Sequence, residues 1–292
     1  MSTMSSKPSI SSKSAKLKYF GWSSISLETA DGALFFDPFY RPYCGAEWFH
    51  LDDFKTARYI CVTHGHEEHF LDVPEVAKKT GALVIGAPSL CRFMQRRHKF
   101  GVDKLRPINP ATFEKTSVPG FKITALPWQH RDINLYKALT KAVFQGNTTQ
   151  LAWAWSSATN APFYSPYTGF HVELPDGTTI LNYNEGFNSK MTDQEIVALG
   201  RRFKTDILLA GMQLNFIDDV VRGVAALNPK MVVLYPPHEK FHEMMGVTSE
   251  PWADFAKAVR ERFPHVVVHV AEPGFELDLQ SGVAAADLHQ AA

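Results

Sequence analysis

Three observations predict a layered α/β fold for this chain. Strand-like and helix-like patterns alternate along it. The apolar, β-branched run Tyr59-Ile60-Cys61-Val62-Thr63 reads as a buried strand. Thr192-Asp193-Gln194-Glu195, a cap residue with glutamate three positions on, opens a helix. With 292 residues and 45% hydrophobic content, the chain can bury a large core as one domain or two tightly joined halves.

In chain order, the patterns predict strands at 17–28, 32–36, 58–62, 82–86, 121–126, 169–174, 178–183, 206–210, 231–234, 265–270 and 274–279. Helices are expected at 72–80, 88–98, 192–203, 216–227 and 250–263. Ala30-Asp31-Gly32 and Asp176-Gly177 are hairpin signals. Residues 1–16 are Ser/Lys-rich without an apolar segment, so they read as a disordered tail and not a secretory signal. The domain is expected to run from 17 to 280, with 281–292 as a second tail. Two segments are candidate covers for a site. One is Phe39-Tyr40-Arg41-Pro42-Tyr43 with Trp48-Phe49, which reads equally as a hydrophobic flap on the sheet. The other is Thr148 to Tyr167, rich in Trp, Ser, Asn and Pro.

Charge and cysteine content narrow the function classes. Thirty basic and thirty acidic side chains cancel, so no global field draws in nucleic acid or an anionic membrane. No run approaches the roughly 18 apolar residues of a membrane span. Cys44, Cys61 and Cys91 are odd in number and lack C-x-x-C spacing, which fits a reducing compartment and a cytoplasmic protein. The expected partner is a small-molecule substrate, without nucleic acid or a stable membrane anchor; a homo-oligomer is left open.

The densest chemistry is His64-Gly65-His66-Glu67-Glu68-His69, directly after the buried strand run. Alternate residues at a strand end share one side of the backbone, so His64 and His66 point together. Imidazole nitrogens and a carboxylate are the ligands that Zn2+, Fe2+ or Mn2+ prefer. A solvated His/Glu loop is the bland alternative, and this density argues against it. His171, His265 and His269 sit in strand patterns and read as structural; His50, His98, His242 and His289 read as surface residues.

The spacing H-x-H-x-E-H resembles the H-x-H-x-D-H signature of the metallo-β-lactamase superfamily. Further landmarks follow in that family's order. Tyr19-Phe20-Gly21-Trp22-Ser23-Ser24 and Leu34-Phe35-Phe36-Asp37-Pro38 resemble the opening hairpin of the branch with ascorbate-6-phosphate lactonase and N-acyl-phosphatidylethanolamine phospholipase D. Leu126-Pro127-Trp128-Gln129-His130 resembles the segment bearing the fourth histidine. Leu181-Asn182-Tyr183-Asn184-Glu185-Gly186 is similar to the turn that normally reads G-D-T-G. Leu234-Tyr235-Pro236-Pro237-His238 is similar to the strand delivering the last histidine, and Glu272-Pro273-Gly274 to the closing turn.

The resemblance implies a four-layer αββα sandwich with a metal site at one edge of two sheets. It implies a first metal on His64, His66 and His130, and a second on Glu68, His69 and His238. The ions are Zn2+, one or two, with Mn2+ or Fe2+ as alternatives. Asn184 stands where the family has a bridging aspartate, and an amide is a poorer bridge between two cations. Glu185 is the neighbouring carboxylate, though adjacent strand residues point apart. Asp37 is expected to hydrogen-bond a ligand imidazole. The implied activity is hydrolysis of an ester-like bond, lactone or phosphodiester, by metal-activated hydroxide, with Glu68 and His238 as the catalytic side chains. The alternative is a single-metal protein, with iron or another ion, in a redox, sensing or binding role.

Overall fold

The computed structural model describes residues 15–41, 49–130, 140, 143–184, 186–211, 217–235 and 251–285. Its strands are β1 (Lys16–Gly21), β2 (Ser24–Thr29), β3 (Gly32–Phe36), β4 (Ala57–Val62), β5 (Leu83–Gly86), β6 (Leu105–Pro107) and β7 (Lys115–Val118). They continue with β8 (Phe121–Pro127), β9 (Thr168–Glu173), β10 (Thr179–Asn182), β11 (Ile207–Gly211), β12 (Met231–Tyr235), β13 (Val267–Val270) and β14 (Glu276–Asp278). The helices are α1 (Glu67–Phe70), α2 (Val73–Thr80), α3 (Pro88–His98), α4 (Thr148–Asn160), α5 (Asp193–Arg202), α6 (Ile217–Leu227) and α7 (Trp252–Arg262).

Among the described residues two seven-stranded mixed sheets form, in the orders β14-β1-β2-β3-β4-β5-β6 and β13-β12-β11-β10-β9-β8-β7. Alternation within the strands explains the layers. Leu34 and Phe36 of β3, and Ile207 and Leu209 of β11, face inward into one core between the sheets. Their neighbours Phe35, and Leu208 with Ala210, face outward. Phe35 packs with Val73, Val76, Leu90 and Met94 of α2 and α3. Leu208 and Ala210 pack with Ile196, Val220 and Phe255 of α5, α6 and α7. A strand covered on both faces must read as a continuous apolar run, which these do. The result is a helix–sheet–sheet–helix sandwich. Among the described residues no helix is long and apolar enough to cross a membrane.

Local signals act as expected at several ends. The Thr192 hydroxyl accepts from Glu195 N at 3.3 Å, and the Glu195 carboxylate accepts from Thr192 N at 2.8 Å. Gly177 turns between β9 and β10 at φ 86°. Phe39 is fully buried and Arg41 pairs with Asp72 at 2.7 Å, so this end of the first candidate cover packs as a flap; residues 42–48 lie outside the described residues.

Three expectations need correction. The strand expected at 17–28 is two strands, broken where Gly21 and Trp22 take φ of 108° and 53°. The segment 148–167 is helical over Thr148–Asn160, and only its end is irregular. His265 precedes β13 in a turn, where its Nε2 lies 2.9 Å from Asn228 Oδ1.

Candidate metal centre

The strand ends converge at one edge of the sandwich. Asp37 follows β3, Thr63 and His64 follow β4, Trp128 and His130 follow β8, and Asn184 follows β10. Tyr235 closes β12 on the same edge, and Thr168, which opens β9, donates its N–H to the Thr63 carbonyl at 2.8 Å. His69 comes from α1, the single helical turn whose cap position is His66. Carboxyl ends of strands in an open α/β layer are the usual place for a site, because loops leaving neighbouring strands diverge there.

His64, His66 and His130 bring one nitrogen each to within 4.8 Å of one another. The His64 ring lies 4.4 Å from that of His66 and 4.0 Å from that of His69. All four imidazoles are buried. Burial, and then the neighbouring imidazoles, hold His64 and His66 well below the usual histidine range, so both rings are neutral at neutral pH.

The hydrogen-bond network assigns the tautomers. Asp37 Oδ1 accepts from Thr63 N at 2.8 Å, and Oδ2 accepts from the Thr63 hydroxyl. That hydroxyl has only one proton, so its 3.0 Å contact with His64 Nδ1 has the imidazole as donor. His64 Nε2 is therefore the bare nitrogen. His69 Nδ1 lies 2.8 Å from Asp37 Oδ2 and donates to it, which leaves His69 Nε2 as its lone-pair nitrogen. The Nε2 atoms of His64 and His66 are buried without a hydrogen-bond partner. A buried lone pair of this kind costs free energy unless a cation or a donor meets it. The residues present thus fit a divalent ion on His64, His66 and His130.

Glu68 Oε1 lies 3.8 Å from His66 Nδ1 and 3.9 Å from His69 Nε2. Asn184 adopts φ 49°, and its Oδ1 accepts from Ser23 Oγ at 3.3 Å and Tyr235 OH at 3.4 Å. Its Nδ2 donates to Thr63 Oγ1 at 3.3 Å. Both ends of the amide are engaged by protein groups. His238 and Glu185 lie outside the described residues.

Residues 29–131 match the model of the metallo-beta-lactamase superfamily, and this span holds the whole His64–His69 motif and His130. Over this segment the chain is similar to the metallo-beta-lactamase superfamily. A UPF0173 metal-dependent hydrolase of Staphylococcus aureus (strain JH9) is 39% identical over 98 residues, covering 32% of this chain and 39% of that protein. The chain thus spans about two fifths of the length of the curated relatives it matches. Two solved structures share the fold. Igni18, a metallo hydrolase of the archaeon Ignicoccus hospitalis, has a TM-score of 0.61 at 19% identity, over 91% of this chain and 98% of that one. A possible metal-dependent hydrolase of Veillonella parvula has 0.60 at 16%, over 91% and 100%.

Within this site, sequence reasoning missed four contributors. Thr63 joins Asp37, His64 and Asn184, yet it reads as the last residue of a strand. Ser23 and Tyr235 hold Asn184 from opposite ends of the chain. Tyr167 packs its ring 5.1 Å from both His64 and His130. Ser23 and Tyr235 lie in segments that carry the resemblance and Tyr167 ends the second candidate cover, but residue type alone gives none of the four a role. The tail of the second candidate cover closes over the cluster: Phe163 stacks on His66 at 4.5 Å. A Cβ at Gly65 would stand 2.1 Å from the Pro162 carbonyl oxygen, so glycine between the two histidines is what lets this segment close.

Proposed function

We propose that the chain is a metal-dependent hydrolase that cleaves an ester-like bond of a small molecule, of the lactone or phosphodiester class. One observation carries this reading: three ligand nitrogens lie within 4.8 Å of one another, and the Nε2 atoms of His64 and His66 are buried without a partner. Three imidazoles suit Zn2+, with Mn2+ or Fe2+ as alternatives. A bound divalent ion would supply Lewis acidity and lower the pKa of water toward neutrality.

The chain's own groups do the rest. Thr63 orients His64 and Asp37 orients His69, each through its Nδ1, so that Nε2 is the lone-pair nitrogen of both rings. Glu68, buried beside His66 and His69, is the carboxylate available to accept a proton or orient water. Phe163 and Tyr167 shield the cluster from bulk water, which strengthens every charge interaction inside it. His238 keeps the role that the family pattern implies. A second reading, one ion in a redox or sensing role, is favoured by Asn184, whose oxygen already accepts from Ser23 and Tyr235. We further propose a cytoplasmic location, supported by Cys61 and Cys91 being free thiols.

Metal analysis of the purified protein tests the site, and reloading with Zn2+, Mn2+ or Fe2+ before assay on lactones and phosphodiesters tests the activity. Hydrolysis by the zinc-loaded protein is the expected result; one iron with a visible absorption band and no hydrolysis supports the second reading. His64→Ala and His66→Ala should each lose tight metal binding and at least about 100-fold in activity, with an unchanged circular dichroism spectrum. A double variant that keeps its full metal complement after dialysis overturns the assignment.

A further inference from the structure

A cavity of about 330 Å³ lies between α3 and α4, beside the segment that covers the histidines. Ligand pockets start at about 300 Å³, and an apolar cavity of about 150 Å³ suffices for benzene. Its walls are aromatic and small: Phe93, Phe163 and Tyr164 face Ala154 and Ala158. Alanines on α4 leave flat space against the rings, the shape that an aromatic group fills.

Two features separate this cavity from a packing defect. Ser89 and Ser165 also line it, and their hydroxyl oxygens are buried without a hydrogen-bond partner. An apolar pocket with a few polar groups is how small-molecule sites obtain orientation as well as affinity. A ligand oxygen would give these hydroxyls the partner they lack, after rotation about χ1. The second feature is Phe163, which lines the cavity and also stacks on His66 at 4.5 Å. The cavity and the metal centre share that ring as a wall.

We propose that this cavity binds an aromatic group of one or two rings, bearing a hydroxyl or carbonyl oxygen, as part of the substrate of the metal centre. The proposal rests on the hydrolytic reading of that centre for its second half only; the binding site stands on the cavity itself.

2-Naphthol is a suitable probe, with binding to the 292-residue chain followed by calorimetry. Ala158 is exposed on the cavity rim, so Ala158→Trp fills the space without disturbing the core. One molecule should bind per chain, at least about tenfold more weakly in Ala158→Trp. Ser165→Ala should weaken 2-naphthol several-fold and leave naphthalene unaffected. In the zinc-loaded protein, Ala158→Trp should lower the ratio of kcat/KM for 2-naphthyl acetate to that for methyl acetate by at least tenfold. Absent naphthol binding, or binding and ester ratio both unchanged by Ala158→Trp, overturns the proposal and leaves the hydrolytic reading intact. Naphthol binding that Ala158→Trp weakens, with no ester hydrolysed, supports the cavity as a binding site and overturns the hydrolytic reading.

Discussion

The hydroxyl of Thr63 has one proton to give, and Asp37 takes it, so His64 must donate from Nδ1. Removing that oxygen leaves His64 free to choose either tautomer and Asp37 short of a donor. Thr63→Val should therefore weaken zinc binding by about 10–100-fold, the usual effect of losing a hydrogen bond that orients a ligand. Thr63→Ser should restore it, and competition with a chromophoric chelator measures both. Equal affinities in wild type and Thr63→Val would remove Thr63 from the site. Asn184 sets a second test. Aspartate tolerates its φ of 49° and keeps the Ser23 and Tyr235 hydrogen bonds, while adding a charge beside His69. Two cations a few ångströms apart repel, and a carboxylate offsets part of that repulsion. Asn184→Asp should raise the affinity for a second ion about tenfold or more, with the first ion little changed. Two equally tight ions in the wild type, unaltered by the mutation, would sink this account of Asn184.

Among the elements, those with a regular apolar pattern were legible and those without one were not. β6 and β7 are short edge strands, Leu105–Pro107 and Lys115–Val118, with too few apolar residues to announce a strand. The break at Gly21–Trp22 hides inside a run that keeps its alternation on both sides. α4 mixes Thr, Trp, Ser and Asn, weak helix formers whose helix is decided by packing beside the site. One tie between elements gives a pH test. Asp206, just before β11, accepts from Thr179 N at 3.0 Å and Thr179 Oγ1 at 2.7 Å, and pairs with Lys230 at 3.0 Å ahead of β12. Burial raises its pKa, but the bonds from Thr179 and Lys230 outweigh that and hold the carboxyl at about 2, below the ordinary 3.8. A depressed carboxyl binds fewer protons folded than unfolded, so its stabilisation is present above pH 3.8 and is lost as pH falls toward 2. Allowing for the exposed lysine ends, this contribution is about 1–2 kcal/mol. Asp206→Asn should lose that amount at pH 7 and flatten the decline between pH 4 and pH 2. Urea denaturation across that range reads both, and an unchanged slope would show that Asp206 is not the group responsible.

For the whole molecule, charge and layering are the governing properties. Thirty acidic and thirty basic side chains leave no net charge, so no overall attraction concentrates polyanions at the surface. Binding to duplex DNA, RNA or anionic vesicles at physiological salt should be weaker than micromolar, by fluorescence anisotropy and vesicle co-sedimentation. Sub-micromolar binding to any of them would require a local basic face that the overall balance conceals. The same scale orders the site: six strand ends from two sheets meet at one edge, and the packed layers hold the imidazoles in orientation before any ligand arrives.

Local chemistry by itself determined that the chain is layered α/β, that its strands are buried, and that His64, His66 and His69 cluster after one of them. These follow from residue type and short spacing, which a linear chain displays directly. The resemblance added His130 and Asn184, more than fifty residues on, as expectations; only the tertiary structure brought His130 to within 4.8 Å of His64 and His66. Only the structure could show that Thr63 fixes the tautomer of His64, and that Ser23 and Tyr235 hold Asn184. Only there do Phe163 and Tyr167 close over the cluster. Those decisions depend on which strand ends share an edge and on which way a single hydroxyl proton points, and neither is written in the order of residues.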